Sequence, residues 1–207
     1  QKAATEAVRE TEGQILCQDG EAVEAYYFST SAGVTSTDEI WGSDEAAPYL
    51  RSVPCKFDDE EPWSSWIVEL PWKLLEDRIR EKGEGTVLRS VTVIRRSESG
   101  AATALEAVSD KDSCIIENEY EIREFLAPVN CMITEKDGTE TAGGSLLPSA
   151  YFELERTQDG NLLVRGKGYG HGVGMSQTGA DKMAEQGYDY REILDYFFRN
   201  ITVENLG

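Results

Sequence analysis

The alternation of apolar and polar positions changes period several times along this chain, and each change predicts an element. Ile15, Leu16 and Cys17, then Asp19-Gly20, then Val23, Ala25, Tyr26, Tyr27 and Phe28 predict two strands around a tight turn. Residues 29–37 are Ser, Thr, Gly, Ala and Val, too small and polar for a core element, and predict a loop. Trp66 to Leu70 reads as a short strand. Pro71 suits a first helical turn, Trp72, Leu75 and Ile79 share one helical face, and Gly83 supplies the stop. Val87, Val91 and Val93 have the common parity of a strand over 86–96, and Ser99-Gly100 reads as a turn. Further strands are predicted over 102–109 and 113–117, then a short helix from Tyr120 to Leu126 with Ile122, Phe125 and Leu126 on one side. Residues 134–145, with Gly138, Gly143 and Gly144, read as a loop. Tyr151 to Glu155 and Leu162 to Arg165 flank Asp159-Gly160 as a second hairpin. A helix is expected from near Ser176 to Gly187. Asp189 and Glu192 then have the spacing of a capping box ahead of Ile193, Leu194, Phe197 and Phe198. No βαβ alternation appears. The expectation is an α+β fold of largely antiparallel strands with a few short helices, in one domain with room for a subdomain.

Charge narrows the partners. With 39 acidic and 20 basic residues among 207, the formal net charge is −19. Nucleic acid, anionic lipid and teichoic acid would be repelled by that field, whereas neutral or cationic partners would not. The run Asp58, Asp59, Glu60, Glu61 is expected to be a solvated face. No stretch of 18 apolar residues occurs. The chain opens on Gln1 without a signal peptide, and is expected to be a piece of something longer.

Chemistry concentrates in one place. The four cysteines at 17, 55, 114 and 131 are widely spaced and there is a single histidine, which argues against a finger- or ribbon-type zinc site. The thiols read first as small buried apolar groups, then as one or two disulfides, then as a site assembled in space. In Gly168-Tyr169-Gly170-His171-Gly172-Val173-Gly174-Met175-Ser176-Gln177-Thr178-Gly179-Ala180 four glycines alternate with other residues, and a helix follows at once. As a phosphate loop the segment lacks the Lys-Ser/Thr pair. A general acid/base histidine and a structural turn with His171 bonded to the backbone both remain open. No Ser-His-Asp triad and no glycosidase carboxylate pair can be assigned.

That segment, with Met183-Ala184, Gly187, Tyr190, Ile193-Leu194 and Tyr196-Phe197, resembles the C-terminal signature of the stage II sporulation protein D (SpoIID/LytB) family. Ala25 through Thr35, then Trp41 and Pro48-Tyr49-Leu50-Arg51-Ser52-Val53, resemble the family's small-residue motif and the segment after it. The stretch from Ala7-Val8 to Leu16, and Leu147-Pro148-Ser149, fit as well. The resemblance runs from end to end of the chain.

It implies a peptidoglycan lytic transglycosylase, which cuts the MurNAc–GlcNAc bond of strands stripped of stem peptides and leaves 1,6-anhydroMurNAc ends. The setting implied is septal and engulfment wall remodelling beside a partner amidase, outside the membrane and held by an anchor. A LytB-like amidase enhancer and a non-catalytic glycan-binding domain are the other readings. The family's catalytic Glu lies in an E-x-P-like segment ahead of an Ala-Arg-Thr-Tyr stretch, and no such pair of segments occurs here. Residues 1–207 are thus expected to be a SpoIID-like domain without its N-terminal part, the Glu lying upstream of Gln1, and no catalytic residue is assigned. Ser29, Thr30, Ser31 and Thr35 are expected to bond sugar hydroxyls, with His171, Ser176 and Gln177 opposite and Tyr49 and Tyr169 stacking on a ring, the two motif loops meeting in one groove. Some relatives bind zinc near the small-residue loop. That loop has no Cys or His here, so no metal or cofactor is expected.

Overall fold

The computed structural model describes residues 2–206. Its largest sheet is antiparallel and runs, edge to edge, β10 (Phe152–Arg156), β11 (Leu162–Gly166), β4 (Trp66–Leu70), β8 (Met132–Glu135) and β9 (Glu140–Ala142). A second antiparallel sheet is formed by β5 (Leu88–Arg96), β6 (Ala102–Ser109) and β7 (Ser113–Glu117). A third joins the two ends of the chain, with β1 (Gln14–Gln18) between β13 (Thr202–Asn205) and β2 (Glu21–Ala22). The last pair, β3 (Tyr27–Phe28) and β12 (Met175–Ser176), is parallel. The helices are α1 (Lys2–Glu10), α2 (Trp72–Glu81), α3 (Glu119–Phe125), α4 (Gln177–Glu185) and α5 (Tyr190–Phe197). This is the expected α+β arrangement of largely antiparallel strands.

The sheet positions the site through its inward parity. Trp66, Val68 and Leu70 of β4 are buried while Ile67 and Glu69 between them are exposed, the period-two signature of a half-buried strand. Trp66 stands opposite Gly166 in the register of β11. A Cβ at 166 would lie 2.0 Å from the indole, so only glycine leaves room for the ring. The buried indole N–H donates to the Gly168 carbonyl at 2.8 Å, tying the sheet to the glycine-rich segment. Leu75 and Ile79 of α2 pack under this sheet with Ile122, Phe125 and Leu126 of α3 and its end. The Arg78 guanidinium donates to the carbonyls of Phe125 and Ala127, supplying partners that the end of α3 lacks. A second cluster, including Ile40, Cys55, Val173, Met183, Ile193 and Phe197, gathers α4 and α5 beneath the glycine-rich segment.

The hairpins at Asp19-Gly20 and Asp159-Gly160, the helices at 72 and 120, and the capping box of Asp189 with Glu192 form as expected. Four expectations need correction. Tyr27–Phe28 leaves the first hairpin to pair with β12, more than 140 residues away. The loop over 134–145 contains most of the hairpin β8–β9, turned at Asp137-Gly138. In β5 the inward residues are Leu88 and Val91 rather than Val87, which is exposed, because register shifts at Leu88/Ser90 and Val93/Arg95 break the two-residue parity. The acidic run is not all solvated, since Asp58 is fully buried. The helix α1 and the strand β13 had no counterpart in the apolar pattern. The eight described side chains of residues 5–12 are all exposed and so leave no buried stripe to read.

Gly166→Ala is expected to cost about 3 kcal/mol, the upper end of overpacking penalties, because the clash is with a buried ring held in place by its N–H bond to Gly168. Gly144→Ala, where a Cβ meets nothing within 4 Å, should stay within about 0.5 kcal/mol. Urea unfolding of the two variants checks the contrast.

Candidate functional site

The glycine-rich segment is built to let backbones approach. Gly168 and Gly174 have φ of +75° and +78°, a region that side chains with a Cβ rarely adopt. A Cβ on Gly168 would meet the Thr30 carbonyl at 2.8 Å, and one on Gly174 the Tyr26 carbonyl at 2.2 Å. That closeness lets Thr30 and Tyr169 exchange backbone hydrogen bonds of 3.0 and 2.8 Å, Ser36 N–H donate to Gly172 at 2.7 Å, and Met175 N–H donate to Tyr26 at 3.0 Å. The two motif loops therefore lie against one another.

Asp58 fastens them. Its carboxylate accepts from the Ser31 N–H at 2.7 Å, the Ser176 hydroxyl at 2.8 Å, the Thr178 hydroxyl at 2.6 Å and the Cys55 thiol at 3.3 Å. Four donors from three segments satisfy a charge that would otherwise be costly to bury. Ser176 is also the N-cap of α4 and accepts from Gly179 N–H at 3.2 Å. Burial, and then the Asp58 charge, push the Cys55 thiol well up from its ordinary value, so it stays a protonated donor.

This places the expected contact residues on two levels. Thr30, Ser31, Thr35 and Ser176 are 2% exposed or less. Ser176 is engaged with Asp58, the Ser31 hydroxyl accepts from Gly33 N–H, and Thr35 bonds the Arg51 carbonyl and Val53 N–H. They sit in the framework beneath the surface, because Asp58 draws the two loops inward. Ser29, Tyr49 and His171 are half-buried, and Tyr169 and Gln177 are exposed. Tyr49 has its carbonyl bonded to Arg199 N–H and its ring near Glu24 and Asp38.

His171 stands in an aromatic corner, its ring 5.2 Å from that of Trp41 and 5.8 Å from that of Phe28. Its Nδ1 accepts from Val173 N–H at 3.1 Å, which assigns the proton of the neutral ring to Nε2. Burial holds its pKa below the ordinary 6.5; Glu119 opposes that shift and Arg123 adds to it. Trp41 Nε1 donates to Glu119 at 3.3 Å, and Glu119, 2% exposed, is paired with Arg123. Trp41, Glu119 and Arg123 thus join His171 to a cavity of about 300 Å³ beyond it.

That cavity is lined by Trp63, Tyr169, Arg123, Ile133, Thr141 and the loop from Gly144 to Pro148. The Trp63 and Tyr169 rings meet edge to face at 4.6 Å. Trp63 was not singled out from the sequence. It follows the acidic run, and what marks it, the ring contact with Tyr169, appears only in space. A larger cleft of about 560 Å³ lies beside Trp41 and contains Glu39, Glu98 and Glu117. The four cysteines are unpaired, with Cys17 and Cys55 buried and Cys114 and Cys131 half-buried. Among the described residues, no three His, Cys, Asp or Glu side chains are grouped to hold a metal ion, and no helix is long and apolar enough to cross a membrane.

Comparison with known proteins adds identity to this geometry. Residues 56–174, more than half of the chain, match a family described as a domain of unknown function, DUF8618. Stage II sporulation protein D of Bacillus amyloliquefaciens is 31% identical over 202 residues, covering 98% of this chain and 51% of that protein. Stage II sporulation protein D of Bacillus subtilis (strain 168) is 30% identical over the same span and coverage. The amidase enhancer of Bacillus subtilis (strain 168) is 24% identical over 230 residues, covering 95% of this chain and 32% of that protein. The chain spans about half the length of the sporulation proteins it matches.

Two measurements test the site's construction. Asp58→Ala leaves several buried donors without an acceptor and is expected to cost about 3 kcal/mol or more, hydrogen bonds to a charged group being worth about 1.5–3 kcal/mol each. Asp59→Ala, in the same run but exposed, should be near neutral in the same urea series. The single histidine is expected to titrate below 6.5 by NMR. Since the unfolded chain then binds more protons than the folded one, stability should fall as pH drops from 6.5 towards the folded value, and should be insensitive to this group above 6.5.

Proposed function

We propose, on the premise that the chain belongs to the DUF8618 domain family and is a SpoIID-family homologue, that it is the glycan-binding wall of a peptidoglycan lytic transglycosylase acting in septal or engulfment wall remodelling. Residues 1–207 are read as one SpoIID-like domain working outside the membrane. The observation that carries the reading is the aromatic pair Trp63–Tyr169 over a cavity of about 300 Å³. An exposed Tyr face beside Trp offers the apolar, flat surface that a sugar ring packs against, and the volume is at the lower end of ligand pockets, about 300–1,000 Å³. Gln177, Ser29 and His171 supply the exposed or half-exposed polar groups near the same loops, while Thr30, Ser31, Thr35 and Ser176 hold those loops in place. Tyr49, outside the lining of that cavity, is read as a further ring contact.

The reaction requires one carboxyl group. As an acid it protonates the leaving O4 of GlcNAc while the C1–O4 bond breaks. As a base it takes the proton of the 6-hydroxyl as the C1–O6 bond closes, so the proton count balances and no water is consumed. No carboxylate lines the Trp63–Tyr169 cavity, and Glu119 near His171 is engaged by Arg123 and Trp41. The proton donor is therefore assigned to none of these residues.

The amidase enhancer among the relatives favours a second reading, in which the same wall holds glycan for a partner amidase. The chain by itself is expected to bind denuded glycan strands and to form no 1,6-anhydro ends, and Tyr169→Ala should weaken binding about tenfold, one 1.4 kcal/mol step. Sedimentation with purified strands and chromatography of the products measure both. Failure to bind would end the glycan reading, and anhydro product from the chain alone would end the assignment of the donor elsewhere. Stimulation of an added amidase, with no anhydro product even from a full-length relative, would favour the second reading.

A further inference from the structure

The cavity has an electrostatic property that the aromatic pair does not explain. Eleven residues line it; one is a cation and none is an acid, in a chain with 39 acidic and 20 basic residues. The cation is Arg123, whose side chain is 11% exposed. Its Nε donates to the Leu147 carbonyl at 2.8 Å, and its Nη1 is paired with Glu119. Nη2 has no hydrogen-bond partner among the described residues, and no buried side-chain nitrogen in them lacks one. Nη2 is therefore not sealed off from solvent, and Arg123 is part of the cavity lining. Two bonds behind the guanidinium fix its plane, so the free N–H groups are held in one direction at little further entropic cost. Two acids are bonded to residues of this lining, and neither is itself part of it. Glu119 is 2% exposed behind Arg123, and Glu135, 9% exposed, accepts from the Thr141 hydroxyl at 2.5 Å.

We propose that Arg123 is a specificity-determining residue that receives a carboxylate carried by the sugar packed on Trp63 and Tyr169. This deepens the glycan reading above and rests on it. In a peptidoglycan strand the sugar substituent with that chemistry is the lactyl group of N-acetylmuramic acid, which is a free carboxylate once the stem peptide is gone and an amide while the peptide is attached. A charge-assisted N–H···O bond from a fixed guanidinium distinguishes the two. The acid-free lining explains how a chain of net charge −19 accepts an anion at this one place. The loop Gly144–Pro148 lines the same cavity.

The test uses the chain as it stands and four matched tetrasaccharides. These are alternating GlcNAc–MurNAc with free lactyl carboxylates, the same with lactyl carboxamides, the same carrying stem peptides, and an all-GlcNAc oligomer. Binding is read from the fluorescence of Trp63 against a Trp63→Phe control and from NMR shifts of the Tyr169 ring. The free carboxylate form is expected to bind at least tenfold more tightly than the other three, with the preference shrinking as salt is raised. In Glu119→Gln/Arg123→Gln, which leaves no buried charge unpaired, the four ligands should become equal while a melting curve reports the fold intact. Equal binding of all four by the native chain overturns the role of Arg123 and leaves the glycan reading standing. A preference that survives in the double variant overturns the role too. Binding of none overturns both.

Discussion

The buried carboxylate of Asp58 is the constraint on which the rest of the surface depends. Without donors it would be costly to bury. With the Ser31 N–H, the Ser176 and Thr178 hydroxyls and the Cys55 thiol around it, it becomes the point at which three distant segments must agree. Its bonds reach the small-residue loop, the turn at Cys55 and the start of α4. The parallel pair β3–β12 and the Thr30–Tyr169 bridge are consistent with that one alignment. The small and hydroxyl-bearing residues around it are chosen for fit: a Cβ on Gly179 would stand 2.7 Å from the Cys55 sulfur.

What the framework supports is a line of groups from His171 to Tyr169. Trp41 touches the histidine ring and donates to Glu119; Glu119 holds Arg123; Arg123 closes the back of the cavity under Trp63 and Tyr169. The pair Glu119–Arg123 is buried, and such pairs add little net stability compared with apolar packing. Its use here is directional, since it fixes one guanidinium edge inward and leaves the other open. The chain's acids lie elsewhere; the larger cleft beside Trp41 is lined by three glutamates and two arginines, Arg95 and Arg96.

The same residues show why an enzyme-like reading and a binding reading share one geometry. In the proposed reading a ring-packing pair and an open guanidinium hold the sugar, and the proton donor lies outside the cavity they line. Both the lytic transglycosylase and the amidase-supporting readings need this wall, and they differ in what is brought to it.

Local physics made much of this legible from the amino-acid order. The Asp-Gly turns, the Leu75–Ile79 and Ile122–Phe125–Leu126 stripes and the Asp189–Glu192 cap are short-range patterns whose free energy is decided within a few residues, and they form where expected. The glycine alternation at 168–174 marked the place where backbones crowd. Tertiary structure alone decided the roles within that place. Asp58 reads as one of four solvated acids until its donors, three of them 27 to 120 residues away, are seen around it. The hydroxyls of Ser31 and Ser176 read as ligand contacts until the same carboxylate draws them under the surface. Trp63 and Arg123 carry no local signal, because an open ring face and an open nitrogen are defined by what does not cover them. Periodicity records which side of an element is buried. It does not record which partner buries it, and hydrogen bonds between distant segments are settled by that second fact.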